Sequence, residues 1–208
     1  MIVAIDGPAG AGKSSVARLL ARRLGFRYLD TGAMYRALTW LALERGVDLA
    51  DGAALAALAG ASPVSFGDGG AVAIAGSDVT AAIREPRVDE AVSVVARHPG
   101  VREVMRQRQR ALSHEGDVVI EGRDIGAVVA PDAEVKVWLV ADAAVRAQRR
   151  HAERSGADAA ALATALRDRD ERDAVDTHRA QDAVEVDTTA LTLDEVVERV
   201  AALVEERR

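Results

Sequence analysis

The chain has 208 residues, 49% of them apolar, which suffices for one domain with a sizeable core or for one domain carrying a small insertion. It has no cysteine, which excludes disulfides and thiolate-bound metals, and its formal net charge of −6 disfavours a protein that binds nucleic acid polymers. No apolar run approaches the roughly 20 residues that a membrane span needs, and the opening "MIVAID" lacks the basic leader of a signal peptide. We therefore expect a cytoplasmic protein, and the acidic surface without apolar stripes favours a monomer.

The spacing of apolar residues predicts alternating strands and helices. The expected elements of the first half are a strand at 2–6, a helix at 13–24 that ends at Gly25, a strand at 26–30, a helix at 31–46 capped by Asp30 or Thr31, and a helix at 51–60. Residues 62–80 differ, because short alternating runs broken by glycines are typical of a β-hairpin.

The second half continues the alternation. Its expected elements are helices at 85–97 and 99–114, strands at 117–122 and 134–141, helices at 142–155 and 158–172, a strand at 183–188, and a last helix that begins at Thr192 with a capping box to Glu195. Five apolar strands alternating with helices predict an α/β fold with a parallel sheet covered on both faces. Because the hairpin at 62–80 interrupts this alternation, we interpret it as an insertion.

A phosphate-binding motif follows the first strand. The stretch "GPAGAGKS" matches G-x-x-x-x-G-K-[ST], and it lies between a predicted strand and a predicted helix, as this motif requires. Backbone amides of such a loop surround the phosphates of a nucleotide, the lysine reaches the β- and γ-phosphates, and the hydroxyl after it binds Mg²⁺. We expect ATP to be held by Gly7, Pro8, Ala9, Gly10, Ala11, Gly12, Lys13, Ser14 and Ser15, with Ser14 as the metal ligand.

The rest of the sequence narrows the class of nucleotide-binding protein. Asparagine is absent, so the Asn-Lys-x-Asp element with which regulatory GTPases read guanine cannot be present. A small-molecule kinase must bind a second anionic substrate and neutralise the charge on the transferring group, which calls for arginines at separated positions. Arg36, Arg102 and Arg123 fit that pattern, although Arg102 taken alone is more typical of a solvated surface residue on a helix. Arg123 is the strongest candidate because it follows a buried strand and is flanked by glycines.

Four further arginines lie at i, i+3, i+4 and i+8, on one face of the helix predicted at 142–155. They are Arg146, Arg149, Arg150 and Arg154. Spacing alone leaves two interpretations open, an exposed face paired with nearby acidic residues or a lid that closes over phosphates. The role of Glu121 is also open, because this residue either acts on Mg²⁺ through water or supports the phosphate loop by hydrogen bonds.

Five stretches, in order, resemble the bacterial cytidylate kinase family. They are "IDGPAGAGKSS", "YLDTGAMYR", "VSVVARHPGVR", "VVIEGRDIGAVVAPDAEVKVWLVA" and "RDERD…DAVEVDTT". The resemblance covers nearly the whole chain and implies transfer of the γ-phosphoryl group of ATP to CMP or dCMP, with Mg²⁺. It also implies a nucleoside monophosphate kinase fold of the P-loop type: a core (1–60, 85–145 and 183–208), a monophosphate-binding insertion with a small antiparallel sheet (about 61–84) and a lid (about 146–172).

The same resemblance implies roles for individual residues. Arg36 and Arg123 would hold the CMP phosphate, with Thr31 and Tyr35 lining its pocket. Ser93, Arg102 and Asp124 would face the cytosine, and Arg169 and Asp173 would lie near the ribose. Lys13, Arg123, Arg149 and Arg150 are the expected catalytic cations. The chain departs from the family at Asp176, where many relatives carry an arginine, so either Arg172 or Arg179 replaces it or the enzyme works without it.

Two alternatives remain at this point. Another small-molecule P-loop kinase, such as one acting on uridylate, would share everything except the residues that read the base. A regulatory module would bind or hydrolyse a triphosphate without a phosphoryl acceptor.

Overall fold

The computed structural model of the protein describes residues 1–67, 70–153, 163–164, 167–168, 170–171, 173 and 177–208. Its strands are Ile2–Asp6 (β1), Arg27–Asp30 (β2), Val64–Phe66 (β3), Val72–Ile74 (β4), Ser77–Asp78 (β5), Val118–Gly122 (β6), Val135–Val140 (β7) and Val184–Asp187 (β8). Its helices are Lys13–Leu24 (α1), Thr31–Glu44 (α2), Gly52–Ala61 (α3), Pro86–Ala96 (α4), Pro99–Ser113 (α5), Ala143–Glu153 (α6) and Leu193–Glu205 (α7). A 3-10 turn at Ala82–Arg84 and a π-helical segment at Ile125–Val129 complete the described elements.

The main sheet contains five strands in the order β2-β6-β1-β7-β8. Strand β1 pairs in parallel with β6 and β7, and β7 pairs in parallel with β8. All five residues of β1 are buried, as expected of a strand covered by helices on both faces. The predicted α/β fold with a five-stranded parallel sheet flanked by helices is confirmed. In the register of β1 and β6, Asp6 lies beside Gly122, so the loops that follow these strands leave the same edge of the sheet.

The helix ends confirm the local signals. Gly25, with a φ of 71°, ends α1 in the left-handed conformation, for which glycine has no steric penalty. Of the two expected caps of α2, the structure selects Asp30, whose side chain accepts a hydrogen bond from the backbone of Ala33 at 2.8 Å. The capping box at the start of α7 is present with both of its bonds, between Thr192 and Glu195.

The contacts divide the chain into two compact units, residues 1–28 with 113–208, and residues 29–112. In the first unit, apolar side chains of β1, β7, α1 and α7 form a continuous core that includes Ile5, Leu20, Leu139 and Val200. In the second unit, α2 packs against α4 and against the small sheet. Among the residues that the structure describes, no helix is both long and apolar enough to cross a membrane.

The second unit contains the antiparallel sheet expected at 62–80. Strand β4 pairs with β3 on one side and with β5 on the other. The third strand, Ser77–Asp78, was not predicted, because two exposed polar residues carry no apolar signal. The helix predicted at 158–172 lies largely outside the described residues, and the division into core, insertion and lid stays a prediction.

Candidate active site

The glycine-rich loop joins β1 to α1, as the motif requires. A Cβ atom at Gly7 would lie 2.2 Å from the carbonyl oxygen of Leu139, the φ of Gly7 being 146°. At Gly10, with a φ of 76°, a Cβ atom would lie 3.0 Å from the Cβ of Arg146. These glycines therefore let the loop backbone lie directly against β7 and α6, where a larger residue would not fit.

Lys13 is the first residue of α1 and is buried, with 9% of its surface exposed. Its ammonium group donates a hydrogen bond to the carbonyl oxygen of Pro8 at 2.8 Å, so the side chain folds back over the loop. The first turn of α1 carries no acidic residue, and the positive end of the helix dipole is not neutralised there. The loop, the lysine and the helix N-terminus together provide what a phosphate chain needs.

Ser14 is linked to a buried carboxylate. Its hydroxyl donates to Oε2 of Glu121 at 2.9 Å, and the hydroxyl of Tyr28 donates to Oε1 of the same residue. Glu121 ends the apolar run of β6 and is only 3% exposed. Of its two expected roles, the structure shows a direct hydrogen bond to the phosphate loop.

Arg123 follows β6 and spans two partners within the first unit. One nitrogen donates to the carbonyl oxygen of Gly7 at 2.8 Å, and two others donate to Oδ2 of Asp173 at 3.0 and 3.2 Å. The structure thus brings together two residues that the resemblance placed at different parts of the acceptor, one at its phosphate and one at its ribose. Asp124, the next residue, is 8% exposed and immediately precedes the π-helical segment.

Two arginines of α6 lie beside the phosphate loop. Arg146 donates to the carbonyl oxygens of Ala9 at 3.0 Å and Ala141 at 3.2 Å, and it forms an ion pair with Asp170. Arg149 donates to Oγ1 of Thr188 at 2.9 Å and to its carbonyl oxygen at 2.7 Å.

Thr188 connects Arg149 to the loop, because its hydroxyl also contacts the carbonyl oxygen of Ala11 at 3.4 Å. Of the two interpretations of this arginine stripe, an exposed face does not describe Arg146 and Arg149, which are both partly buried. The side chain of Arg150, and Arg154 altogether, lie outside the described residues.

In the second unit, Arg36 is held by a carboxylate. It is 7% exposed, donates to the carbonyl oxygen of Ile83 at 3.1 Å and forms an ion pair with Asp89 of α4. The other predicted acceptor-binding residues of this unit lie on α2, α4 and α5. Thr31 and Ser93 are buried, and Tyr35 and Arg102 are partly exposed.

Three predicted arginines lie close in sequence to the family departure at Asp176. Arg169, expected near the ribose, lies outside the described residues, as does Arg172. Arg179 forms an ion pair with Glu185 and donates to the carbonyl oxygen of Ala183 at 3.3 Å. Whether either arginine replaces the one missing at Asp176 stays a prediction.

Asp6, Asp89 and Thr188 were missed by reasoning from the sequence. Asp6 carried one usable signal, a charge at the end of an otherwise apolar strand and directly before the glycine-rich loop. It is 4% exposed and accepts hydrogen bonds from the backbone amides of Ile125 and Gly126, each at 2.9 Å. The pKa of Asp6 is raised to about 6, mainly by burial, although the hydrogen bonds from the two amides act to lower it.

Comparison with known proteins gives a family for the chain. The family model described as cytidylate kinase matches residues 3–206. A cytidylate kinase from Geobacillus sp. (strain WCH70) is 48% identical over 216 residues, which are 99% of this chain and 96% of that protein. A cytidylate kinase from Rhodococcus opacus (strain B4) is 50% identical over 222 residues, covering 100% of this chain and 96% of that protein.

Among solved structures, a shikimate kinase from Bacteroides thetaiotaomicron has a similar fold. Its TM-score is 0.52 at 16% sequence identity, and the alignment covers 99% of this chain and 98% of that one. At this level of identity the likeness concerns the fold alone.

Proposed function

Because the chain belongs to the cytidylate kinase family, we propose that it transfers the γ-phosphoryl group of ATP to CMP or dCMP, giving ADP and CDP or dCDP. The observation that carries this proposal is the match of the family model over residues 3–206, which contain the complete glycine-rich loop and the "EGRDIG" turn. An oxygen of the CMP phosphate attacks the γ-phosphorus, and the bond from that phosphorus to the bridging oxygen of ADP breaks with its electron pair. The acceptor is already an anion, so no general base is required.

The phosphate loop is proposed to bind the ATP phosphates. Its amides and the N-terminus of α1 would attract the negatively charged phosphates, and the ammonium group of Lys13 would exchange the Pro8 carbonyl for phosphate oxygens. Arg149 is proposed to stabilise the transferring group, since its contacts with Thr188 lie beside the loop. Arg150 is proposed with it on sequence spacing alone.

Ser14 and Glu121 fit a Mg²⁺ site. Mg²⁺ prefers oxygen ligands, and a hydroxyl and a carboxylate lie 2.9 Å apart here. No group of three or more His, Asp or Glu side chains that could hold a metal ion occurs among the described residues, so the remaining ligands would be phosphate oxygens and water. The ion would neutralise charge on the β- and γ-phosphates. Glu121 takes the hydroxyl proton of Ser14 in a hydrogen bond, which leaves the lone pairs of Oγ for the metal.

Arg36 and Arg123 are proposed to bind the CMP phosphate. Both guanidinium groups are already oriented by carboxylates, Arg36 by Asp89 and Arg123 by Asp173, so less side-chain entropy is lost when the phosphate binds. Thr31 and Tyr35 are proposed to line the same phosphate pocket.

Ser93, Arg102 and Asp124 are proposed to read the cytosine. Cytosine presents an amino donor beside two acceptors, which suits a carboxylate together with an arginine and a hydroxyl. Uracil places a carbonyl oxygen where cytosine has the amino group, so it would leave the carboxylate of Asp124 without a donor. That mismatch disfavours uridylate by a few kcal/mol. Arg169 and Asp173 are proposed near the ribose.

We further propose that the enzyme acts in the cytoplasm, in pyrimidine nucleotide metabolism, as a monomer with a core, a monophosphate-binding insertion and a lid. A reaction between ATP and a nucleoside monophosphate supports the first two statements, and the acidic composition supports the third.

An acceptor panel tests the proposed function. ADP formation is followed in a coupled assay with ATP and Mg²⁺ and with CMP, dCMP, UMP, AMP or GMP in turn. The proposal requires ADP formation that depends on CMP or dCMP. Equal or higher rates with UMP would instead support a uridylate kinase, and ADP formation indifferent to any acceptor would support a nucleotide hydrolase.

A further inference from the structure

Asp6 is a buried carboxylate that has no assigned role in the proposed reaction. It ends β1, directly before Gly7, and only 4% of its surface is exposed. A charge at such a place is costly unless it is fully hydrogen-bonded. The pKa of Asp6 is raised from 3.8 to about 6, mainly by burial and also by the nearby Asp124, although the amides of Gly126 and Ile125 and the charge of Lys13 act to lower it.

The partners of Asp6 belong to the "EGRDIG" turn. Oδ1 accepts from the amide of Ile125 and Oδ2 accepts from the amide of Gly126, both at 2.9 Å. The two amides begin the π-helical segment, and their own donors would otherwise be unpaired at its N-terminal end. Each carboxylate oxygen therefore holds one of two consecutive peptide groups, which fixes the orientation of the turn.

Two proposed acceptor-binding residues lie immediately before these amides. Arg123 and Asp124 precede Ile125 in the chain, and Arg123 donates to the carbonyl oxygen of Gly7 at 2.8 Å. Two sets of hydrogen bonds thus join the end of β1 to the turn after β6. Asp6 accepts from amides of the turn, and Arg123 of the turn donates to Gly7. A Cβ atom at Gly126 would lie 3.2 Å from the side chain of Lys136, so the turn has little room to shift on its other side.

We propose that Asp6 is a positioning residue, which clamps the "EGRDIG" turn so that Arg123 and Asp124 are set for the phosphate and base of CMP. This inference rests on the proposed function for the identity of the acceptor. The clamp lies where the glycine-rich loop, proposed to bind ATP, adjoins the turn proposed to bind CMP. Asp6 itself contacts neither substrate in this proposal.

Asp6→Asn tests the clamp. The amide oxygen of asparagine accepts one backbone hydrogen bond, but its NH₂ group then faces the second backbone donor. We expect kcat/KM for CMP to fall at least tenfold, while the dissociation constant of ADP, measured by calorimetry, changes less than threefold. Asp51→Asn is the matched control, because Asp51 also accepts a helix-start amide, that of Ala54 at 2.9 Å, but lies on α3 and has no proposed role in binding. It should keep the kinetic constants of the parent.

Hydrogen exchange gives a readout that does not depend on activity. In Asp6→Asn the amides of Ile125 and Gly126 should exchange at least tenfold faster than in the parent. Unchanged exchange would overturn the clamp, and an equal loss of CMP and ADP affinity would overturn its specific link to the acceptor. Asp6→Glu, which keeps the charge but displaces the carboxylate by one methylene, provides the same comparison if Asp6→Asn does not fold. A parent enzyme inactive toward CMP would refute the proposed function, while the exchange result would still decide whether Asp6 holds the turn.

Discussion

The hydroxyl of Ser14 donates a hydrogen bond to Glu121 at 2.9 Å, although 107 positions separate the two residues in the chain. The bond joins the first turn of α1 to the end of β6. It places the proposed metal-binding hydroxyl beside a buried carboxylate that is itself held by Tyr28.

Glu121→Gln should weaken the effect of Mg²⁺ on ATP binding. The amide that replaces the carboxylate has no negative charge to attract the cation. Only its single oxygen can accept the hydrogen bond from Ser14. We expect the affinity for ATP to fall about tenfold with Mg²⁺, a loss of about 1.4 kcal/mol, and to stay unchanged without it. Calorimetric titration of ATP with and without the ion measures both values. Tyr28→Phe, which removes one donor to Glu121 and keeps the ring, should show a smaller effect of the same kind. Equal losses with and without Mg²⁺ would show that Glu121 only supports the loop.

Gly7→Ala should destroy the phosphate loop. The new Cβ atom would meet the carbonyl oxygen of Leu139 at 2.2 Å, so β1 and β7 would have to separate. We expect a lower melting temperature together with the loss of measurable ATP binding. Gly46→Ala is the matched control, because Gly46 also has a positive φ of 63° but has no atom within 4 Å of the built Cβ. It should cost about 1–2 kcal/mol of stability and leave ATP affinity intact. Normal ATP binding by Gly7→Ala would contradict the role of this close approach.

Asp89→Asn should impair the acceptor site through Arg36. Both side chains of this ion pair are about nine-tenths buried, and removal of one charge from such a pair typically costs 3–5 kcal/mol. We expect a lower melting temperature and an increase of at least tenfold in the KM for CMP, with little change in the affinity for ATP.

The control for Asp89→Asn is Glu44→Gln in the same unit. Glu44 pairs with Arg87 at 2.8 Å, but both side chains are more than 40% exposed. Loss of an exposed pair costs about 0–1 kcal/mol, so this variant should behave like the parent. An unchanged KM for CMP in folded Asp89→Asn would separate Arg36 from acceptor binding.

Asp6 should give the stability of the protein a distinct pH dependence. Its pKa is raised from 3.8 to about 6, mainly by burial, so between these values the folded state binds the proton more strongly than the unfolded state. Its contribution to stability is therefore fully present below pH 3.8 and is lost as the pH rises through about 6. In Asp6→Asn this loss should be absent. Urea unfolding of both proteins at several values between pH 4 and pH 8 should give a difference in unfolding free energy that changes by about 2 kcal/mol in favour of the variant. A difference independent of pH would show that Asp6 titrates normally.

Local patterns in the sequence predicted the five strands of the main sheet, the seven described helices and the phosphate loop. The apolar strands, the cap at Asp30 and the glycine motif each depend on residues close together in the chain, so the sequence contains the whole signal. The carboxylate partners of the arginines could not be predicted in this way. Arg36 and Asp89 are 53 positions apart, and Arg123 and Asp173 are 50 positions apart. Their pairing depends on how helices and loops pack, which periodicity does not encode.

The same limit explains why Asp6 was missed. At the end of an apolar strand, an aspartate indicates only where the strand stops. Only the return of β6 beside β1, with Gly122 next to Asp6, brings the amides of Ile125 and Gly126 to its carboxylate. The interpretation of Arg146 and Arg149 likewise needed the structure, because helical spacing groups arginines on one face but does not say what that face contacts.

Transfer of a labelled phosphoryl group tests the central claim most directly. The protein is incubated with Mg²⁺, CMP and ATP labelled with ³²P at the γ-position, and the products are separated by chromatography. We expect the label to appear in CDP and omission of CMP to abolish its transfer. Lys13→Ala, which removes the cation of the phosphate loop, should reduce the transfer to background. Label found in inorganic phosphate at the same rate with and without CMP would show that the protein is not a CMP kinase.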